Sequence, residues 1–158
     1  MPLLIGTNDN EEAIFRISDI LHGVKQAESY YEEMNFNKFF CPCSARANVS
    51  VYNHVPTWRY RWFGVFNNTN LTVTPDSGAY HGSEIPIIFN TPPPAGEGIG
   101  NDTVKELAVI AYVRGAWAAF AKDPVNGLKN YQGGWCVFSS LPIPHFPQSA
   151  NLYFIINP

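Results

Sequence analysis

Two ionisable residues, Glu11 and His81, follow segments that the sequence predicts to be strands. The apolar run at residues 2–6 predicts a buried strand, and Glu11 comes just after the polar loop that ends it. His81 comes after the second predicted strand, between Gly78 and Gly82, which leave the backbone free to bend sharply. Functional groups of open α/β sheets gather at the carboxyl ends of strands, so two neighbouring loops could bring Glu11 and His81 together.

A carboxylate beside an imidazole forms an acid–base pair. When the carboxylate accepts the Nδ1–H of the ring, it fixes the tautomer and leaves the other nitrogen as a base. Such a pair supplies two of the three members of a catalytic triad. Position and spacing alone leave the alternative that Glu11 is a solvated loop residue and His81 a structural one.

The elements that must position this pair follow an α/β order. Residues 12–22 carry isoleucine and leucine at spacings of three and four, which predicts a helix. Residues 57–66 alternate aromatic side chains with arginine, which predicts a strand. Residues 103–122 predict a long helix, capped by Asn101 or Asp102 and buried on more than one side. The segment 39–53 is ambiguous, although its alanines would allow a helix.

Two strands joined through helices are expected to be parallel. Two parallel strands do not make a stable sheet, because parallel sheets are covered on both faces and need several neighbours. The prediction is therefore an α/β fold of which this chain is the last portion, incomplete on its own.

Composition supports that prediction and excludes several classes of protein. The chain has 158 residues, of which 46% are hydrophobic and 15% charged. The apolar content excludes intrinsic disorder, while the charged fraction falls below the usual value of about 25%. The apolar surface therefore exceeds what so few charges would cover, which suggests a piece of something larger. A net charge of −3 without a basic run argues against nucleic acid or an anionic membrane surface as the main partner.

The cysteines and histidines indicate neither a metal nor a cofactor. Cys41, Cys43 and Cys136 cannot all pair within the chain, and Cys41 and Cys43 with His54 match no zinc spacing. A disulfide to a partner outside the chain and plain buried thiols both remain open.

Signals of the secretory route are mixed. No signal peptide is recognisable after Met1, and no apolar run approaches the roughly 20 residues of a membrane-spanning helix. Sequons for N-glycosylation nevertheless occur at Asn48, Asn67, Asn70 and Asn101, more than chance would supply, and they favour a secretory origin.

Four segments together resemble a known family. LLIGTNDNEE, VPTWRYRWFG, GAYHGSEIPIIF and AWAAFAKDP look like the carboxy-terminal part of a type B carboxylesterase, in the cholinesterase/lipase group of the α/β-hydrolases, and most like fungal members. The resemblance covers residues 2–135, so we expect a domain portion at 1–138 and an unassigned proline-rich tail at 139–158. It implies that Glu11 is the acid of a triad and His81 its base. It also implies that Glu84 is a second carboxylate that helps to hold the loop.

The nucleophile that the resemblance implies is not in this sequence. Neither a G-x-S-x-G elbow nor an HGGG-type oxyanion loop occurs in the 158 residues, and Ser83 lacks the strand-turn-helix setting of such a serine. We therefore expect the chain alone to be inactive. The resemblance implies a secreted enzyme that acts on small-molecule or lipid esters, and the alternatives are a non-catalytic cholinesterase-like binding module or a fragment without function.

Overall fold

A computed structural model describes residues 1–33, 56–71, 76–91, 100–135 and 155–156 of the chain. The ambiguous segment 39–53, the three cysteines, His54 and the sequon at Asn48 lie outside the described residues, as does most of the tail at 139–158.

The described sheet is parallel and has three strands. Strand β1 (Leu3–Asn8) pairs with β2 (Thr57–Trp62) along its whole length, and β2 pairs with the short β3 (Ile155–Ile156). The prediction of parallel strands is confirmed. Strand β3 lies in the segment that the sequence left unassigned, where a two-residue strand among prolines carries too little periodicity to be predicted.

One face of β2 forms the core. Its alternating aromatic side chains Trp58, Tyr60 and Trp62 pack on helix α4 (Val104–Lys122), and the ring of Tyr60 meets that of Trp117 edge to face at 4.7 Å between centroids. The alternation leaves the arginines for the opposite face, where Arg61 forms an ion pair with Asp9. The period-two pattern therefore decides which side of the sheet receives the helix.

A glycine lets β1 lie against this aromatic face. A Cβ atom at Gly6 would lie only 1.7 Å from Cζ of Tyr60, its partner in the register. No side chain fits at that position, so the close approach of β1 to the Tyr60 ring depends on glycine.

Helix α4 differs from the prediction in two ways. It is capped by Thr103, whose side chain accepts a hydrogen bond from the Glu106 backbone N–H in a capping box, and not by Asn101 or Asp102. Its buried residues are Glu106, Ile110, Val113 and Ala116, which share one stripe, while Val104 and Leu107 are exposed. In the described structure the fully buried residues of the helix therefore lie on one side.

The remaining helices are short. Helix α1 (Ala13–Leu21) matches the prediction to within one residue at each end. Helices α2 (Glu28–Glu33), α3 (Ile85–Phe89) and α5 (Gly127–Asn130) were not predicted, because four to six residues give no usable period. Within the described ranges, no helix combines the length and the apolar content that crossing a membrane requires.

Candidate active site

The turn after β1 holds Glu11 against the end of its own strand. The backbone N–H of Asn8 donates to Oε1 of Glu11 at 2.7 Å, and the N–H of Ala13 closes the turn onto the carbonyl of Asn10 at 3.2 Å. The Glu11 side chain is only 12% exposed. The backbone of its own turn therefore orients the Glu11 carboxylate independently of any side-chain partner.

The chain beyond β1 continues beside the segment that leads to His81. The N–H of Asp9 donates to the carbonyl of Trp62 at 2.8 Å, and that of Asn10 donates to the carbonyl of Ala79 at 3.0 Å. Asn10 and Tyr80 form a parallel bridge. Because Asn10 and Tyr80 are register partners, the residues that follow them, Glu11 and His81, emerge side by side.

Glu11 and His81 are joined by a hydrogen bond. Nδ1 of His81 lies 2.7 Å from Oε2 of Glu11. Its donor role is assigned from the bond, since an ionised carboxylate can only accept. The Nε2 nitrogen is then left unprotonated in the neutral ring, and the His81 side chain is 68% exposed against 12% for Glu11. The pair combines a buried, oriented acid with a base that is open to solvent.

Two glycines shape the turn that carries His81. Gly78 has φ +55° and Gly82 has φ +88°, backbone angles that residues other than glycine adopt only under strain. Directly after Gly82, the Ser83 hydroxyl accepts a hydrogen bond from the Trp62 indole N–H at 3.1 Å and is buried. That serine therefore ties the loop to the core, and its hydroxyl does not face His81's open side.

Asn8 connects the loop that carries Glu11 (residues 9–12, the acid loop) to the loop that carries His81 (residues 78–84, the histidine loop). The sequence analysis did not single out Asn8. Its side-chain N–H₂ donates to the carbonyl of Tyr80 at 2.6 Å and to Oε2 of Glu84. Asn8 is 1% exposed, so three partners, including Glu11 through its backbone, converge on one buried residue. The sequence signal for this role was the asparagine in Gly6-Thr-Asn8. Asparagine in a polar stretch is also typical of an ordinary turn, so the signal does not single out Asn8.

Two partly buried tyrosines adjoin the carboxylates without adding charge. Burial raises the pKa of Tyr60, and the charges of Glu84 and Glu11 raise it further. Burial, followed by the charge of Glu84, also raises the pKa of Tyr80. Both phenols therefore stay protonated at neutral pH.

A cavity of about 610 Å³ opens beside the acid loop but does not contain the pair. Its lining includes Asp9, Glu12, Arg61 and Asp76, and neither Glu11 nor His81 belongs to it. Because neither member of the pair lines it, this polar, charged cavity is separate from the hydrogen bond between Glu11 and His81. No grouping of three or more histidine, cysteine or acidic side chains within the described part of the chain is arranged to hold a metal ion.

Three of the four sequon asparagines lie in the described residues. Asn67 and Asn101 are exposed. Asn70 is half-buried, and its side-chain oxygen accepts a hydrogen bond from the hydroxyl of Ser77.

Solved structures share this arrangement of strands and helices. A PNB esterase, 20% identical, superposes with a TM-score of 0.58 over 88% of this chain and 32% of its own. A thermophilic PNB esterase, 18% identical, gives 0.57 over 87% of this chain and 32% of its own. The chain thus has part of an α/β-hydrolase fold, as the sequence predicts, and it spans about a third of these structures.

Sequence comparison points to the same class of protein. No protein-family model matches the chain. A chlorogenic acid esterase of Aspergillus niger is 33% identical over 87 residues, which are 55% of this chain and 16% of that protein. Secreted lipase 5 of Gibberella zeae is 28% identical over 148 residues, 90% of this chain and 26% of that protein.

The predicted resemblance to carboxylesterases and lipases is confirmed: the chain is a relative of these enzymes over part of its length. It spans about a quarter or less of the two curated relatives.

Proposed function

We propose that this chain supplies the acid and the base of a Ser-Glu-His triad in a carboxylic ester hydrolase. The observation that carries the proposal is the 2.7 Å contact between Nδ1 of His81 and Oε2 of Glu11, made by a buried carboxylate and an exposed ring. A merely structural histidine has no need of an oriented carboxylate on one nitrogen and open space at the other.

The reaction follows from the roles of the two nitrogens. Nε2 of His81 takes the proton of a serine hydroxyl, supplied from outside these 158 residues, as its oxygen attacks the ester carbonyl. The imidazolium then returns that proton to the alkoxide that leaves. A water molecule, deprotonated by the same Nε2, attacks the acyl group, and the proton passes back to the serine as the acid is released.

In this scheme Glu11 stabilises the imidazolium. Its carboxylate already accepts the Asn8 N–H and the ring N–H, so no reorganisation is needed when the ring becomes positive. Replacing such an acid by its amide, which favours the wrong tautomer, lowers kcat by about 10⁴-fold in serine proteases of the chymotrypsin type.

The substrate class rests on the relatives. One is named a chlorogenic acid esterase and the other a lipase, so we propose a small-molecule or lipid carboxylic ester as the substrate of the whole enzyme. We also propose that the enzyme is secreted and glycosylated. The support is a relative that is named a secreted lipase, together with exposed sequon asparagines at Asn67 and Asn101.

The test uses the polypeptide that contains these residues in its natural source. It is purified, treated with a fluorophosphonate probe, and assayed with p-nitrophenyl esters. We expect ester hydrolysis, and labelling of a serine that lies outside these residues. The 158 residues alone are expected to show neither.

Matched variants of that polypeptide separate catalysis from folding. His81→Ala is expected to abolish most turnover. His22→Ala, which removes an exposed histidine whose ring contacts the Ser18 carbonyl, is expected to leave turnover unchanged. A folded polypeptide without a reactive serine would contradict the proposal in favour of a binding module. Full activity of His81→Ala would contradict it outright.

A further inference from the structure

A carboxylate is fully buried at the start of helix α4. Glu106 is 0% exposed. Its Oε1 accepts a hydrogen bond from Nδ2 of Asn68 at 2.9 Å, and its Oε2 accepts from the backbone N–H of Thr103 at 3.2 Å. The glutamate of a capping box usually sits at the surface, where water completes its hydrogen bonds, and a buried one needs partners from the protein.

The partner that meets this need is a loop residue. Asn68 is 7% exposed, and its amide N–H₂ donates both to Glu106 and to Oδ1 of Asp102, each at 2.9 Å. It belongs to residues 66–71, which we call the Asn68 loop. Within this loop the N–H of Thr69 turns back onto the carbonyl of Phe66 at 3.0 Å. The loop is thus fixed to the first turn of α4 by charge-assisted hydrogen bonds, which are stronger than neutral ones.

The Asn68 loop also holds the segment that carries His81. The hydroxyl of Tyr80, the residue directly before His81, donates to the carbonyl of Thr69 at 3.1 Å. The N–H of Leu71 donates to the hydroxyl of Ser77 at 3.1 Å, and Ser77 is 0% exposed. The Ser77 hydroxyl in turn donates to Oδ1 of Asn70, so three described hydrogen bonds join the loop to residues 77–80.

The His81 segment needs such support. The ring of His81 is 68% exposed and gains little from packing, and the glycines on either side of it have positive φ. The direction of the ring then depends on the segment before it. Asn8 and Asn10 hold the backbone of that segment, and the Asn68 loop holds it through the side chain of Tyr80.

We propose that Glu106 and Asn68 are positioning residues for His81, acting through Thr69 and Tyr80 on the hydrogen bond to Glu11. The catalytic consequence rests on the proposed function. The positioning itself does not, because it can be measured on the ring of His81 whether or not an ester is hydrolysed.

The readout is the tautomer of His81 at mildly alkaline pH, measured from its two ring ¹⁵N chemical shifts. The Glu11 bond favours the proton on Nδ1, so loss of the bond shifts the population toward Nε2–H. Tyr80→Phe removes only the hydroxyl that bonds Thr69. A hydrogen bond of this kind corresponds to about a five-fold change in an equilibrium, so the ratio of unbonded to bonded His81 is expected to rise about five-fold.

Tyr131→Phe is the matched control. It removes a tyrosine hydroxyl that donates to the carbonyl of Tyr112 at 2.8 Å and accepts from Nε2 of Gln132 at 3.2 Å, and neither of these hydrogen bonds involves the Asn68 loop. It is expected to leave the His81 tautomer ratio unchanged. An equal response to Tyr131→Phe and Tyr80→Phe would show general loosening and would overturn the proposal.

A double variant tests the path from Glu106 to His81. If Asn68 acts through Tyr80, the effects of Asn68→Ala and Tyr80→Phe on the tautomer ratio are not multiplicative in the double variant. The effects of Asn68→Ala and Tyr131→Phe on that ratio should be multiplicative, because those two residues act independently. Glu106→Gln is expected to shift the ratio in the same direction as Asn68→Ala. An unchanged ratio in folded Tyr80→Phe and Asn68→Ala proteins would refute the positioning role and leave the proposed ester hydrolysis untouched.

In the whole enzyme, Tyr80→Phe should lower kcat in proportion to the fraction of His81 that loses the Glu11 bond, by at most about five-fold, and leave KM unchanged. If the tautomer ratio shifts as expected but the whole enzyme hydrolyses no ester, the proposed function fails and the positioning role stands.

Discussion

Asn8→Asp is the most informative single change at the site, because it exchanges one NH₂ group for an oxygen. The Asn8 amide donates to the carbonyl of Tyr80 at 2.6 Å and to the carboxylate of Glu84. In the variant both donors are lost, and an ionised carboxylate faces two acceptors at a position that is 1% exposed. The acid loop and the histidine loop then repel each other where they are now joined.

The expected cost comes from the two bonds. The Tyr80 carbonyl keeps its hydrogen bond from the Ser83 N–H, so losing the Asn8 bond to it costs about 0.5–1.5 kcal/mol, and losing the bond to a charged acceptor costs about 1.5–3 kcal/mol. Together they predict that the free energy of unfolding falls by about 3 kcal/mol at neutral pH, before like-charge repulsion is added. Urea unfolding, followed by the fluorescence of the buried Trp58 and Trp62, measures that difference.

The destabilisation caused by Asn8→Asp should increase with pH, whereas a general loss of packing would not depend on pH. Glu84 and the Tyr80 carbonyl would raise the pKa of the introduced carboxyl group in the folded state, above an unfolded value of about 3.9. The charge-dependent part of the penalty is therefore absent below about pH 4, where the protonated carboxyl can still donate one of the two bonds, and it grows by up to about 1.4 kcal/mol per pH unit as the pH rises toward the folded pKa. Asn130→Asp, at an exposed position, is the control. A gap between Asn8→Asp and wild type that is below about 1 kcal/mol, or that does not widen with pH, would refute the reasoning.

Two further predictions concern the contact between β1 and β2. Gly6→Ala puts a methyl group into the ring of Tyr60, and overpacking of this kind is expected to cost about 1–3 kcal/mol or more in urea unfolding, while Gly100→Ala, with open space around it, should cost little. The raised pKa of Tyr60 predicts stability that is fully present below about pH 10 and is lost at up to about 1.4 kcal/mol per pH unit above it. Tyr60→Phe should flatten that alkaline loss and Tyr30→Phe should not; equal pH profiles for both variants would contradict the assignment.

The parts of the fold that the sequence predicts are those with a long or regular pattern. The alternation of aromatic residues and arginine over β2 and the apolar spacing in α1 each continue long enough to be recognised. Helix α3 was missed because its five residues complete little more than one turn. The cap of α4 was misplaced because Asn101, Asp102 and Thr103 are all good caps, and only the reciprocal bonds with Glu106 select Thr103.

The same distinction between what the sequence predicts and what it does not applies to the candidate site. Glu11 and His81 could be named from their positions after strands and from the family resemblance. The bridge between Asn10 and Tyr80, which brings those positions side by side, could not, since a single register pair leaves no periodic signal. Asn8 was missed for a related reason: its importance lies in what surrounds it in space, and its partners Tyr80 and Glu84 are more than 70 residues away.

The most direct test of the central claim is kcat for a p-nitrophenyl ester in the natural polypeptide carrying Glu11→Gln. The Glu28→Gln variant serves as control, because Glu28 is an exposed carboxylate that pairs with Arg16 at the surface. The account predicts that Glu11→Gln lowers kcat by up to about 10⁴-fold with KM little changed, while Glu28→Gln has no effect. If Glu11→Gln and Glu28→Gln retain the same kcat as the wild type, the pair of Glu11 and His81 is not the acid and base of the enzyme.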